Sequence, residues 1–374
     1  MITAQRIEAD EAACKGIIHI KSRLDVNPLD PTASKKRDAT RLRIRRALWR
    51  MLYADDAGIA SLERESLSRM MTILVQTCTE FGLRVSEPKT KALCFRPREP
   101  GPDEAMCVMN IEAADQKYEQ KSRFVYLGSL MTDDHDMTPE LGRRIGSSEN
   151  KMRRYSKRIF DAKGVWLKVK AMMYKAEILP ALLYGCETWT LKSNHTDKLQ
   201  TTHRLHLNRL IGFKKKKRLT DHPLSYRKAL LIPGCETIET TIHKLRLKLA
   251  GRIVRMSDER LPKLMLFGEL DGGQRRRGRP EKSWRNCLRD SLRAFEIDEK
   301  SWIKLADEGD EEWMKLITDS AEQHMERWHE GALRDHHRRR RRARAEEDEN
   351  KANDDDIPPP PPPPPLPPPP PPTN

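Results

Sequence analysis

The stretch Leu52-Tyr53-Ala54-Asp55-Asp56-Ala57-Gly58-Ile59-Ala60 restricts the fold more than any other part of the chain. Apolar Leu48, Trp49, Met51 and Leu52 lead into it, and Ile59 leads out. Two short apolar arms around Ala-Asp-Asp predict a β-hairpin, with strands over 48–52 and 58–61 and adjacent carboxylates at the turn. Such carboxylates repel and are costly to desolvate, so in a dry cleft they require a compensating cation. Hard oxygen ligands of this kind suit Mg²⁺. A plain surface Asp-Asp turn is the competing reading. Leu52 and Ile59 need a cover, and the nearest apolar helical face is Leu62, Leu67, Met70, Met71, Leu74, Val75, Cys78 and Phe81. Ser61 stands where a cap belongs, and Gly82 where the helix should stop.

Downstream, Leu83 to Val85 and Ala92 to Phe95 read as strands around a turn holding Lys89, and 97–120 as a polar loop. Phe124-Val125-Tyr126-Leu127-Gly128 is a strand ending in a glycine turn. Thr138-Pro139-Glu140 opens a helix with a capping hydroxyl, Pro at the first position and an early acid. Leu141, Ile145, Met152, Tyr155 and Ile159 mark its buried side. Helices are also expected over 166–178, stopped by Pro180, over 195–211, over 237–254 and from Trp284. Trp302, Trp313 and Trp328 read as packing anchors, and His203 and His206 as polar-face residues. Before the hairpin, Ile17 to Ile20 has strand character and the rest shows no organised chemistry.

Charge says more about partners than about fold. Of 374 residues 37% are hydrophobic and 34% charged, so the core is thin for the length. The net charge is +15, yet residues 141–290 alone carry 36 Lys+Arg against 14 Asp+Glu, or +22. A block this basic points to a polyanion, and nucleic acid is favoured because no apolar run reaches membrane-span length. Seven scattered cysteines without a Cys-x-x-Cys pair argue for a reducing compartment, nucleus or cytoplasm, and against a disulfide framework or zinc site.

Tyr53-Ala54-Asp55-Asp56, the helix ending in Phe81-Gly82-Leu83, Lys89-Thr90 and Phe124 to Gly128 follow one another in the order seen in reverse transcriptases. The chain most resembles those of non-LTR retrotransposons, over roughly residues 45–295. Leu179-Pro180-Ala181-Leu182-Leu183-Tyr184-Gly185-Cys186-Glu187-Thr188-Trp189 looks like a block that such polyproteins carry after the palm. The resemblance implies an RNA-directed DNA polymerase with an RNA template, a DNA primer, a dNTP and Mg²⁺. Asp55 would then bind both metal ions of an in-line displacement, with Asp56 beside it. Tyr53 would lie near the primer terminus and Lys89 near the triphosphate. Phe124, Tyr126, Leu127 and Gly128 would grip the primer. For Lys89, a solvated turn lysine is the competing reading.

The resemblance also exposes a departure. A working palm needs another metal-binding Asp on an upstream strand, and Asp25, followed by Pro28 and Pro31, is a poor imitation. The expectation is therefore an α+β fragment. An unassigned segment (1–44) precedes a partial palm (45–135) and thumb-like basic helices (136–220). A basic helical region (221–330) and a disordered Arg-rich, acidic and poly-Pro tail (331–374) follow. Alone it should be inactive. A non-enzymatic nucleic-acid-binding protein derived from a retroelement, or a scaffold recruiting partners through its proline tail, are the alternatives. Lys214, Lys215, Lys216, Lys217 and Arg218 suit phosphate contact first, with nuclear import or a solvated loop as alternatives. Arg277 and Arg279, in an Arg-Gly-Arg-Pro run, fit an AT-hook core or a basic linker. The prolines form a polyproline II rod suited to SH3, WW or profilin-type grooves, or a tail without a partner.

Overall fold

Trp49 ends one small sheet and starts the next. The computed structural model describes residues 2–22, 27–30, 44–95, 111–212, 226–270 and 282–355. They fall into two compact units, Met1–His324 and Met325–Asn374. Near the N-terminus, helices α1 (Ile2–Ala9) and α2 (Glu11–Cys14) precede strand β1 (Ile18–Ser22), which pairs antiparallel with β2 (Ile44–Leu48). Trp49 then turns inward against Ala4, Ile7, Ala13, Ile17 and Met70. That burial ends the β2 pairing, so the first hairpin strand begins later than expected, β3 being Arg50–Tyr53, while the second begins earlier, β4 being Asp56–Ile59. The Trp49 carbonyl accepts the Ala60 N–H at 2.8 Å and closes the hairpin at its root.

Helix α3 (Arg64–Glu80) forms as its periodicity predicts, but it covers other surfaces. Met70 and Ile73 face α1 and α2, while Met71 and Val75 face the strands that follow. Only the root of the hairpin, through Ile59, meets these clusters, and Leu52 stays 67% exposed. The expected cover over Leu52 is therefore not there. Ser61 does not cap α3 either: its hydroxyl donates to the Gly16 carbonyl and accepts the N–H of Glu63, the residue ahead of the helix, both at 3.2 Å. Gly82 does stop the helix: at φ +70° it lets the Leu83 N–H reach the Cys78 carbonyl (2.8 Å) while its own N–H reaches Thr79 (3.0 Å).

Residues 83–86 are irregular rather than a strand, and β5 is only Lys91–Ala92. The expected polar loop instead holds a hairpin, β6 (Ile111–Ala113) and β7 (Gln116–Gln120), turning at Ala114 and Asp115 with both φ positive. Ile111, Ala113 and Tyr118 point inward while Glu112, Lys117 and Glu119 point out, the alternation of a half-buried pair. Strands β8 (Arg123–Tyr126) and β9 (Ser129–Thr132) make a further hairpin across Leu127 and Gly128.

The described remainder of the first unit is mainly helical: α4 (Thr138–Arg154), α5 (Leu167–Met173), α6 (Leu179–Leu182), α7 (Ser193–Leu210), α8 (Tyr226–Leu231), α9 (Ile238–Val254), α10 (Leu261–Phe267), α11 (Trp284–Ala294) and α12 (Trp302–Glu308). Asp136, not Thr138, receives the first free N–H of α4, at 3.1 Å. Pro180 does not stop its helix. A wide turn over Tyr174–Ile178, with bonds five residues apart, passes the proline into α6, where its missing N–H costs nothing. Trp302 and Trp313 are buried with Leu247, Leu288, Leu292 and Phe295, as packing anchors. Strand β10 (Gly268–Leu270) pairs with β1, so the N-terminal segment belongs to one sheet with residues far downstream. The last helix, α13, spans Asp310–Asp355. Residues 331–355 are thus helical rather than an extended tail, because Arg, Ala and Glu there are good helix formers. Asp25, Lys214, Lys215, Lys216, Lys217, Arg218, Arg277, Arg279 and the prolines lie outside the described residues.

Candidate functional site: two hairpins and a basic helical surface

Ala54 and Asp55 form a two-residue loop, with Ala54 at φ +52° and Tyr53 paired to Asp56. A positive φ at the first loop position matches the twist of a tight hairpin. Asp55 and Asp56 are therefore at the tip of two paired strands. They are exposed, and neither carboxylate meets a described hydrogen-bond or ion-pair partner. Tyr53 beside them is 67% exposed. Among the described residues the two carboxylates line no dry cleft, which agrees with a plain surface Asp-Asp turn.

The second hairpin comes up beside the first. A methyl group on Gly58 would stand 3.1 Å from the Tyr126 hydroxyl, a tight contact, so the absence of a side chain at residue 58 eases the close approach of β4 and β8. Phe124 is half-buried and Leu127 exposed on the same hairpin. Lys89 lies exposed in the Ser86–Thr90 turn, its N–H bonded to the Ser86 carbonyl at 3.2 Å, and its side chain has no described partner near Asp55. Tyr53, Asp55, Asp56 and Tyr126 are thus brought onto neighbouring hairpins, and Lys89 is not tied to them.

A lock on the β8–β9 turn escapes the sequence reading. Leu127 and Gly128 both have positive φ. Arg143 donates to the Gly128 carbonyl at 2.8 Å, and Arg144 donates to the same oxygen. Buried Glu140 accepts Arg144 Nε at 2.6 Å and the Leu130 N–H at 2.9 Å. The Arg144 guanidinium also lies 4.5 Å over the Tyr184 ring, whose hydroxyl donates to the Leu127 carbonyl at 3.2 Å. Arg143 and Arg144, off the face marked by Leu141 and Ile145, are turn-holding residues. The usable signal was Glu140 four residues before Arg144.

The block after Leu179 continues this scaffold. Buried Arg246 reaches the Trp189 carbonyl (3.0 Å) and Ser291 (3.0 Å), and Trp284 donates to the Glu187 carbonyl at 2.8 Å. Burial raises the Cys186 thiol to about 12, which makes it inert. His203 and His206 are not on a polar face. Both are buried against Tyr174, with His203 stacked at 5.6 Å and bonded through Nδ1 to the Tyr226 hydroxyl at 2.9 Å. Burial lowers them to about 3 and about 4, so both are neutral.

The outer faces of the helices are cationic. Arg153, Arg154, Lys157, Arg158, Lys163, Lys168, Lys192, Lys198 and Arg252 are all exposed. Among the described residues no group of three His, Cys, Asp or Glu side chains is placed to hold a metal ion. Two carboxylates from one exposed turn fall short of a two-ion Mg²⁺ site. No helix of the described residues is long and apolar enough to cross a membrane.

No family model and no solved structure matches the chain. It is similar to a Caenorhabditis elegans protein described as an uncharacterized transposon-derived protein, at 24% identity over 278 residues, covering 73% of this chain and 96% of the relative.

Proposed function

We propose that the chain derives from a non-LTR retrotransposon reverse transcriptase and acts by binding nucleic acid through residues 141–290, without polymerising nucleotides by itself. The observation that carries the derivation is the seating of Tyr126 against Gly58. It joins the Tyr-Ala-Asp-Asp turn to the segment that resembles a primer grip, although 67 residues lie between Gly58 and Tyr126. The likeness to a transposon-derived protein supports the same origin. The basic helices then supply thumb-like contacts to phosphates, which fix register without reading sequence. The template RNA and the DNA primer are the partners this reading implies.

RNA-templated primer extension with Mg²⁺, using the 374-residue polypeptide, tests the catalytic half. Incorporation at background is expected. Incorporation abolished by Asp55→Ala would overturn it. Fluorescence anisotropy with labelled RNA tests the binding half. Neutralising about six phosphates should weaken affinity on the order of 10³-fold between 50 and 200 mM salt, and binding indifferent to salt would refute it.

A further inference from the structure

Of the tryptophans, Trp49, Trp189, Trp302 and Trp313 are buried and Trp284 and Trp328 partly so, while Trp166 is 81% exposed. It stands at the start of α5 in extended conformation, its carbonyl taking the Val169 N–H at 3.0 Å. No described acceptor meets its indole N–H. Val169 (46% exposed) and Met172 (61%) continue the same ridge along α5 at spacings of three residues. Among the described residues this open apolar ridge headed by an indole has no cover.

The charge around the ridge names its occupant. Residues 151–175 hold nine Lys+Arg and a single acid, Asp161. That acid is paired with Arg209 at 2.7 Å, which leaves the local field positive. Lys163 and Lys168 flank the indole and are exposed, whereas Lys170 is turned to the Phe160 carbonyl at 2.9 Å. An acidic peptide would satisfy the cations but offers the indole nothing particular. A single-stranded nucleic acid satisfies both, with phosphates on the lysines and an unpaired base on the ring.

We propose that Trp166, with Val169, Met172, Lys163 and Lys168, is a base-stacking platform for single-stranded nucleic acid of any sequence. This rests on the proposed nucleic-acid binding and adds strand state and position to it. Duplexes would use the phosphate contacts alone, since their bases are already stacked.

Tryptophan fluorescence of the full chain, titrated with oligo(dT) and separately with a blunt duplex at equal nucleotide concentration, tests it. The exposed indole should give a red-edge component that oligo(dT) quenches and the duplex does not. Trp166→Ala should remove that quench and weaken oligo(dT) binding about 5- to 100-fold. Trp166→Phe should keep most of the affinity while removing the quench. Unchanged affinity in Trp166→Ala, or equal quenching by the duplex, overturns the platform while the salt-dependent binding of the block still stands. A Trp166→Ala variant that changes oligomeric state in sedimentation, with oligo(dT) affinity intact, overturns it in favour of a protein contact. If neither nucleic acid binds the parent chain at low salt, the proposed function falls as well.

Discussion

Acidification should unfold this protein before its carboxylates titrate, because three histidines are held neutral in its interior. His203 stacks on Tyr174 and meets the Tyr226 hydroxyl, with Nε2 left without a partner. His206 has no partner at either ring nitrogen, and Arg209 nearby opposes its charging. His243 bonds Ser291 at 2.9 Å and faces Phe295, His324 and Arg246, with Asp290 as a weak counterweight. Burial lowers the three to about 3, about 4 and about 3, from an ordinary 6.5. A folded pKa below the unfolded one means that the unfolded chain binds protons first, so stability falls as pH drops below 6.5. At pH 5 each histidine costs about 2 kcal/mol, and the three together about 6 kcal/mol, close to the whole stability of many domains. Asp10, Glu80 and Asp298, whose folded pKa values are also lowered, lose their contribution only below their own unfolded range near 4, so they are silent in this window. Thermal melts followed by circular dichroism should therefore show Tm about 10–20 °C lower at pH 5 than at pH 7.5. In His206→Phe the slope of stability against pH should fall by about one proton's worth, ~1.4 kcal/mol per pH unit. A Tm flat between pH 7.5 and 5, or an unchanged slope in that variant, would refute the placement of these rings in a dry interior.

Two further outcomes test the scaffold. Arg144→Met should lower stability in urea by about 3 kcal/mol, the low end for a broken buried pair, since Glu140 loses its 2.6 Å partner and keeps only Arg143 at 3.5 Å, and adding Glu140→Gln should recover much of it. Gly251→Ala should cost about 1–3 kcal/mol or more on the same measurement, because the new methyl would lie 2.2 Å from Trp313 Nε1 on a helix packed too tightly to yield.

Elements whose signal is local were legible. The Asp-Asp hairpin, α3 with its Gly82 stop, the β8 segment, α7 and α9 all follow from turn chemistry or a 3.6-residue period. What failed was anything decided by a distant partner. Strand β10 is three residues that mean nothing until β1 lies beside them. The β6–β7 pair carries a clean alternation around Ala114-Asp115, but without Gly or Asn at the positive-φ positions it looks like polar loop. The polar-face assignment of His203 and His206 failed for another reason. A helix wheel gives direction but not depth, and the Tyr174 wall that encloses them is set by a wide turn absorbing Pro180.

The candidate site divides along the same line. Sequence places Asp55 and Asp56 at a tip because a two-residue loop must put them there. It cannot say what faces them, which depends on where α3 spends its apolar surface. That helix has two faces to satisfy, Met70 and Ile73 on one and Met71 and Val75 on the other, and both are used by α1, α2, β6 and β7. Nothing apolar remains to cover Leu52, so the hairpin stands out with its carboxylates hydrated and uncompensated. Exposed carboxylates are cheap to keep in water and would be costly to bury without a cation. The same arrangement that leaves the Asp pair open thus removes the desolvation that would force it to capture a metal ion.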